Sequence, residues 1–332
     1  DGFLDAIKPA NVMGSILMKV TQSTAATIFT FDEATTQLAA TTGAGGEYTQ
    51  AVSELAAENR SMGMGFTQAA KQIQGLNSSM SGFTDLTKEQ QMELAKTSNM
   101  LDRFGISAET TGASMDHLMK GMGMTVEEAT NIQKDMAKAA IAIGMPPEAM
   151  AQGFQQAMPQ LAKFGKEAPK IFKKLAAASK KLGVSMDTML SIAEGMDTFE
   201  GAATAAGKLN SILGGDLLNS YDLLNASAEE KNRMILEAVD SSGKTWQSMN
   251  RFEKQALANA AGIQDMSEAN KMFEGGLSAY TSAQEELEKT KVSEEELAER
   301  AAATLSIKEK LTQVFEMFAV AVAPLVGLIT SL

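Results

Sequence analysis

Few residue types in this chain could carry catalysis. His117 is the single histidine and there is no cysteine, which excludes a His–His zinc-protease pair, a His-rich metal site, a thiol nucleophile and cysteine zinc sites. A Ser-His-Asp arrangement would have to use His117, and no strand-turn-helix elbow presents a serine. His117 reads as an ordinary, half-exposed helix histidine. Gly243-Lys244-Thr245 matches the end of a phosphate loop, but such a loop needs a glycine five residues before Gly243, where Ala238 stands, and a strand ahead of it. Gly121-Met122-Gly123 continues to Val126 without a third glycine and lies between helices, so it is a turn. The chain is therefore read as not an enzyme, with no cofactor and no metal ligands.

Binding chemistry is better represented. Lys170, Lys173, Lys174, Lys180 and Lys181 project from one side of a helix that follows Pro169, while Ile171, Phe172, Leu175 and Leu182 project from the other. A solvated face is the default meaning of such a cluster. Docking to an acidic protein surface comes next, and an anionic membrane surface third. The formal charge of -12 argues against specific nucleic-acid recognition, because neutralising phosphates needs a broadly basic face.

The elements that position these residues are marked by a recurring punctuation. Gly105-Ile106-Ser107-Ala108-Glu109, Gly144-Met145-Pro146-Pro147-Glu148 and Gly183-Val184-Ser185-Met186-Asp187 place a glycine every 39 residues. Glycine closes a helix in the left-handed conformation, the apolar residue after it folds back, and Ser or Pro starts the next helix. A carboxylate in that first turn meets the positive end of the helix dipole. Gly123 and Gly165 fall between these joints, and Asn225, Gly243 and Gly262 continue the pattern more weakly. Two helices per period predict an all-α chain, an elongated array of short αα-hairpins. Generic helix capping in helices of similar length would give near-regular spacing as well.

Composition agrees with helices. Aromatic residues make up 5%, with one Trp and three Tyr against 23 Met, and there are only six prolines. Contacts lined by alanine and methionine are expected in place of large aromatic anchors. The segments drawn from the sequence are amphipathic helices over 1–60, the hairpin array over 61–275, an acidic helix over 276–305 and a hydrophobic helical segment over 306–332. In that last segment Val320, Val322, Leu325, Val326 and Ile329 are candidates for oligomer or membrane contact. Glu316, Pro324 and Gly327 leave it borderline as a membrane span.

Three features together resemble phage tail tape measure proteins. One is the leucine helix running into Leu38-Ala39-Ala40-Thr41-Thr42-Gly43-Ala44-Gly45-Gly46-Glu47. Another is the Ala-rich helix ending in Leu182-Gly183-Val184-Ser185, and the third is the apolar segment at the end. The resemblance implies a structural component of the virion, held in the tail lumen near the tip in three or six copies. Its partners there are tail tube and hub or baseplate proteins. Such a protein sets tail length, and at infection it is released to help DNA cross the host envelope, with the host membrane as a further partner. It implies that this sequence is a portion of a longer polypeptide, and supplies no catalytic residues. The rival class is a membrane-active helical toxin or translocator protein, and a third is an intracellular helical-repeat scaffold.

Overall fold

The computed structural model describes residues 32–33, 35–40, 47–312 and 314, and every regular element among them is helical. The all-α expectation holds. After a short helix over residues 35–40, the longer helices are, in chain order, α1 (Glu47–Glu58), α2 (Phe66–Ser79), α3 (Lys88–Asp102), α4 (Ala108–Asp116), α5 (Val126–Ala142), α6 (Pro147–Leu161) and α7 (Ala168–Leu182). They continue with α8 (Met186–Glu194), α9 (Phe199–Leu213), α10 (Ser220–Asn225), α11 (Ala228–Ser241), α12 (Arg251–Ala260), α13 (Met266–Lys289) and α14 (Glu294–Ala303). A last helix begins at Ile307. The opening segment 1–31 and the candidate contact residues Val320, Val322, Leu325, Val326 and Ile329 lie outside the described residues.

The chain forms two compact units, one from residues 1–116 with 295–332 and the other from His117–Glu294. In the first, α2 packs on α1 and α3 and most extensively on α4. Small residues allow that close approach. A Cβ added at Gly75 would lie 2.5 Å from the Cβ of Ala108, and one added at Gly112 would lie 2.1 Å from Ser79 Oγ. Several polar groups buried here are bonded: Ser98 Oγ donates to Gln72 Oε1 at 2.6 Å, and Asn99 Nδ2 to the Met62 carbonyl at 3.1 Å. Such pairing offsets most of the cost of taking them from water.

In the second unit α7 is central, touching α5, α6, α8, α11 and, most extensively, α13. Its buried stripe of Ile171, Phe172, Leu175, Ala176 and Ala178 has the helical period that amphipathic packing requires. Phe172 meets Phe154 with ring centroids 5.1 Å apart, and Gly275 of α13 lies so close to Leu182 that a Cβ there would come within 2.4 Å of its Cδ2. Lys181 of α7 pairs with Glu286 of α13, 105 residues away in sequence. In a strictly linear array each repeat touches only its neighbours, whereas here a helix from late in the chain closes over one from its middle. Alanine and methionine supply much of both cores, with Met64, Met115, Met150, Met189 and Met272 fully buried.

The joints have definite geometry. Gly105, Gly123, Gly144, Gly183 and Gly262 take φ between 67° and 88°, and Ile106, Met145 and Ile263 donate back to carbonyls five residues earlier, at 3.1, 2.8 and 2.8 Å. This is the bonding of a Schellman close, in which the apolar residue seals the last turn. Except after Gly144, where Pro146 makes no side-chain cap, the next helix then starts on a capping side chain. Ser107 accepts from Thr110 N, Ser185 from Thr188 N and Thr125 from Glu128 N, the last completed by Glu128 bonding Thr125 N at 2.8 Å.

Two expected joints are built differently. Gly165 has φ 52° and ψ -129°, outside the left-handed helical well, and kinks the short stretch Ala162–Glu167 between α6 and α7. Asn225 is not left-handed, since no residue other than glycine has positive φ among those described. Its Nδ2 instead donates to the Tyr221 carbonyl at 2.7 Å, and the chain leaves α10 extended at Ala226 to meet the Ser227 cap of α11. A side chain able to satisfy a helix-end carbonyl itself removes the need for the backbone reversal.

Candidate functional site

The lysine helix is the residue cluster for which the sequence offers a binding role, and α7 presents it in two rows. At about 100° per residue, Lys170, Lys174 and Lys181 form one row, and Lys173 and Lys180, seven residues apart, form the other. The first row faces carboxylates of its own unit. Lys174 Nζ lies 3.3 Å from Glu229 Oε1, Lys181 Nζ lies 3.1 Å from Glu286 Oε2, and Lys170 Nζ lies 3.9 Å from Glu167 Oε2. Lys173 and Lys180 have no ion pair among the described residues. The five lysines are therefore divided between holding the unit together and facing outward, a division that amphipathicity alone could not reveal.

Glu229 explains the division. It is 4% exposed, and a buried carboxylate must be paired and hydrogen-bonded to stay charged. Lys174 supplies the opposite charge and Gln284 Nε2 donates to the same oxygen at 2.7 Å. Beside it, the Tyr280 hydroxyl donates to the Glu229 backbone carbonyl at 2.8 Å. Burial first, and the nearby Glu229 charge second, push the Tyr280 hydroxyl well above its ordinary range, so it stays a donor.

Next to this network opens a cleft of about 450 Å³ between α7, the end of α5 and the turn after α13. Lys170, Lys173 and Lys174 line it from α7, and Lys138 and Lys291 from its other walls. Two carboxylates, Asp135 and Glu288, face the same space, and Asp135 Oδ1 lies 3.6 Å from Lys138 Nζ. Leu287 and Val292 add an apolar wall. Sequence reasoning missed Lys138 and Lys291 because they come from elements that only the fold brings to α7. Lys180 and Lys181 do not line the cleft. The arrangement suits reversible docking of an acidic group: flexible ammonium groups, some already screened, around a partly apolar floor.

A second buried charge sits in the same unit. Lys231 is 1% exposed and pairs with Asp197, which Lys163 also meets. Burial works to raise the Asp197 carboxyl, but the two ammonium groups outweigh it and hold it below the usual range. This triad is a structural clasp.

The remaining sequence candidates have structural positions. Lys244, which in a phosphate loop would reach a phosphate, donates instead to the Ile212 carbonyl at 2.7 Å near the end of α9. His117 is exposed at the start of a π-helical turn. The acidic stretch covers the end of α13 and all of α14, separated by residues 290–293, with Glu285 and Glu296 paired to Lys289 and Arg300 on their own helices. Among the described residues no helix is long and apolar enough to cross a membrane. Compared with protein-family models, curated proteins and solved structures, the chain matches none.

Proposed function

We propose that this chain is a portion of a phage tail tape measure protein, a helical structural component held in the tail lumen near the hub or baseplate. It assembles with itself in three or six copies and packs against tail tube and hub proteins. In contributing to tail length it acts geometrically, as a spacer. At infection it leaves ahead of the DNA, and its apolar end meets the host envelope. Support comes from an all-α fold among the described residues, with contacts lined by alanine and methionine that can be repacked. The compact folding of both units supports a position at the tip over one along the ruler, which has to be extended. The outward lysines, Lys173 with Lys291, provide contacts for an acidic surface.

An electron-microscopy map of the intact particle tests the reading. Density for these helices is expected inside the tail at its tip, in threefold or sixfold arrangement. Particles that lack this segment yet build tails of normal length and deliver DNA normally would sink it. The rival, a membrane-active toxin or translocator, predicts instead that the purified chain releases dye from lipid vesicles with no phage component present.

A further inference from the structure

The lysine cleft between α7, the end of α5 and the turn after α13 carries more than positive charge. Three of its ammonium groups already lie beside carboxylates, Lys174 with Glu229, Lys170 with Glu167 and Lys138 with Asp135. Lys173 and Lys291 line it without an ion pair among the described residues, and so does one carboxylate, Glu288. Leu287 and Val292, both half-buried, add apolar surface to the same opening. Two uncompensated positive charges, one negative charge and an aliphatic wall thus converge on a cleft of about 450 Å³.

The walls are set before anything enters. Lys134 of α5, 8% exposed, pairs with Glu294 at 2.7 Å and so ties down the far end of the turn that carries Lys291. At the near end Thr290 N donates to the Glu286 carbonyl at 3.0 Å. On α7, Lys174 is held by the buried Glu229 carboxylate. Walls fixed in this way lose little freedom when a ligand binds, which favours binding.

Each class of anion meets this pattern differently. A bare oxyanion such as phosphate would be attracted by Lys173 and Lys291, repelled by Glu288, and would leave Leu287 and Val292 uncovered. A nucleic-acid backbone would bring a row of phosphates against Asp135 and Glu288 in a chain of formal charge -12, where counterion release needs a broadly basic face. A flat anionic membrane would reach the outer lysines without covering the apolar wall. A peptide satisfies every feature at once, with carboxylates for Lys173 and Lys291, an aliphatic side chain on Leu287 and Val292, and an ammonium group for Glu288. The cleft has the size of those that enclose a drug-sized ligand, so it admits a few side chains of a partner and not a folded domain. We propose that it captures a short peptide segment of another protein, net acidic but of mixed charge, with an aliphatic residue between its carboxylates. This deepens the reading of Lys173 and Lys291 as docking contacts and rests on it. Opposite charges steer the segment in and reject wrong partners, while the apolar contact adds to how long it stays.

The test titrates the full chain, at physiological salt, with an end-blocked, fluorescently labelled peptide of repeating Glu-Leu-Lys-Glu. Polyglutamate of the same length, inorganic phosphate and vesicles of anionic phospholipid are the competing probes. The mixed peptide is expected to bind more tightly than polyglutamate, although polyglutamate carries more charge. Lys173→Glu should weaken it about tenfold or more, because a like charge then faces the incoming carboxylate. Lys180→Glu makes the same change of charge on the same row of α7 but off the cleft, and should alter binding less than about threefold. Glu288→Gln should weaken the mixed peptide and strengthen polyglutamate, and Val292→Ser should weaken the mixed peptide alone. Thermal melts on each variant separate lost binding from lost folding. Equal weakening by Lys173→Glu and Lys180→Glu overturns the proposal, as does polyglutamate or phosphate bound as tightly as the mixed peptide. Vesicle binding that Lys173→Glu abolishes, with no peptide binding, makes a membrane the occupant instead. If the peptide fails to bind and Lys173→Glu still hinders incorporation into particles, the docking contact stands and this occupant is wrong.

Discussion

Arg103 and Glu309 meet at 2.6 Å across 206 residues of sequence, and that contact fixes the last described helix to the body of its unit. Arg103 also donates to the Gly63 carbonyl at 3.0 Å, and Glu309 accepts from Ser306 N at 2.8 Å as the cap of its own helix. One carboxylate thus both starts a helix and anchors it. The Arg103 guanidinium first, and then the Ser306 backbone N–H, lower the Glu309 carboxyl from 4.5 to about 2.

A pH dependence follows. Glu309 has a depressed pKa in the folded chain, so its contribution is fully present above about pH 4.5 and is lost as the pH falls toward 2. The side chain is 42% exposed, and solvent screening keeps the contribution below about 1 kcal/mol. Glu309→Gln should therefore melt slightly below the wild type at pH 7, with the two curves converging by pH 2. A constant difference across that range would show that the contact does not titrate.

The Lys231–Asp197 pair gives a larger effect. Lys231→Ala leaves a partly buried carboxylate with Lys163 alone and creates a cavity, which should cost roughly 3–5 kcal/mol. Lys231→Met fills the space and, together with Asp197→Leu, should recover most of that loss, since buried ion pairs are often replaceable by well-packed apolar groups. Urea titration of the single and double variants checks both expectations.

Three glycines should fail, for two different reasons. Gly144 has φ 68° with nothing within 4 Å of an added Cβ, so Gly144→Val pays only left-handed strain, about 1–2 kcal/mol. Gly183→Val, at φ 70° with its nearest atom 3.9 Å away, should behave alike. Gly75 lies inside α2, where alanine is otherwise the better helix former, yet Gly75→Ala must part α2 from α4 and should destabilise by about 1–3 kcal/mol. A stabilised Gly75→Ala variant would mean that the two helices separate freely.

Much of the helical layout was legible in the sequence because its signals are local. The glycine at each joint, the apolar residue after it and the Ser, Thr or Pro that starts the next helix all act within six residues, so Gly105, Gly123, Gly144 and Gly183 could be recognised without knowing the fold. Asn225 was misjudged because residue type alone does not say whether a side chain or a backbone reversal will satisfy a helix end, while Gly165 is a joint whose ψ of -129° lies outside the left-handed helical well. The closure of α13 over α7 was not legible. It depends on Gly275 reaching Leu182 and on Lys181 meeting Glu286, and no periodicity links positions so far apart. The candidate site shared that limit, since half of its meaning lies in Glu229, Lys138 and Lys291.

Lys173 and Lys174 are adjacent in sequence, and the fold gives them different tasks. Lys174 neutralises Glu229, whose carboxylate is almost wholly buried, while Lys173 opens to the cleft without a carboxylate partner among the described residues. Lys174→Ala leaves Glu229 with Gln284 as its remaining side-chain partner and should cost about 3–5 kcal/mol, as breaking a buried pair does. Lys173→Ala should fall within about 0.5 kcal/mol of the wild type, as surface changes do. Docking should show the reverse. Lys173→Glu puts a repelling charge where an acidic partner has to approach, and in a tail it should hinder incorporation of an otherwise stable chain. Thermal melts of the purified variants and their yield in assembled particles measure the two effects separately. If Lys174→Ala melts like the wild type, the lysines form one solvated face after all, and the division between clasp and docking contact is wrong.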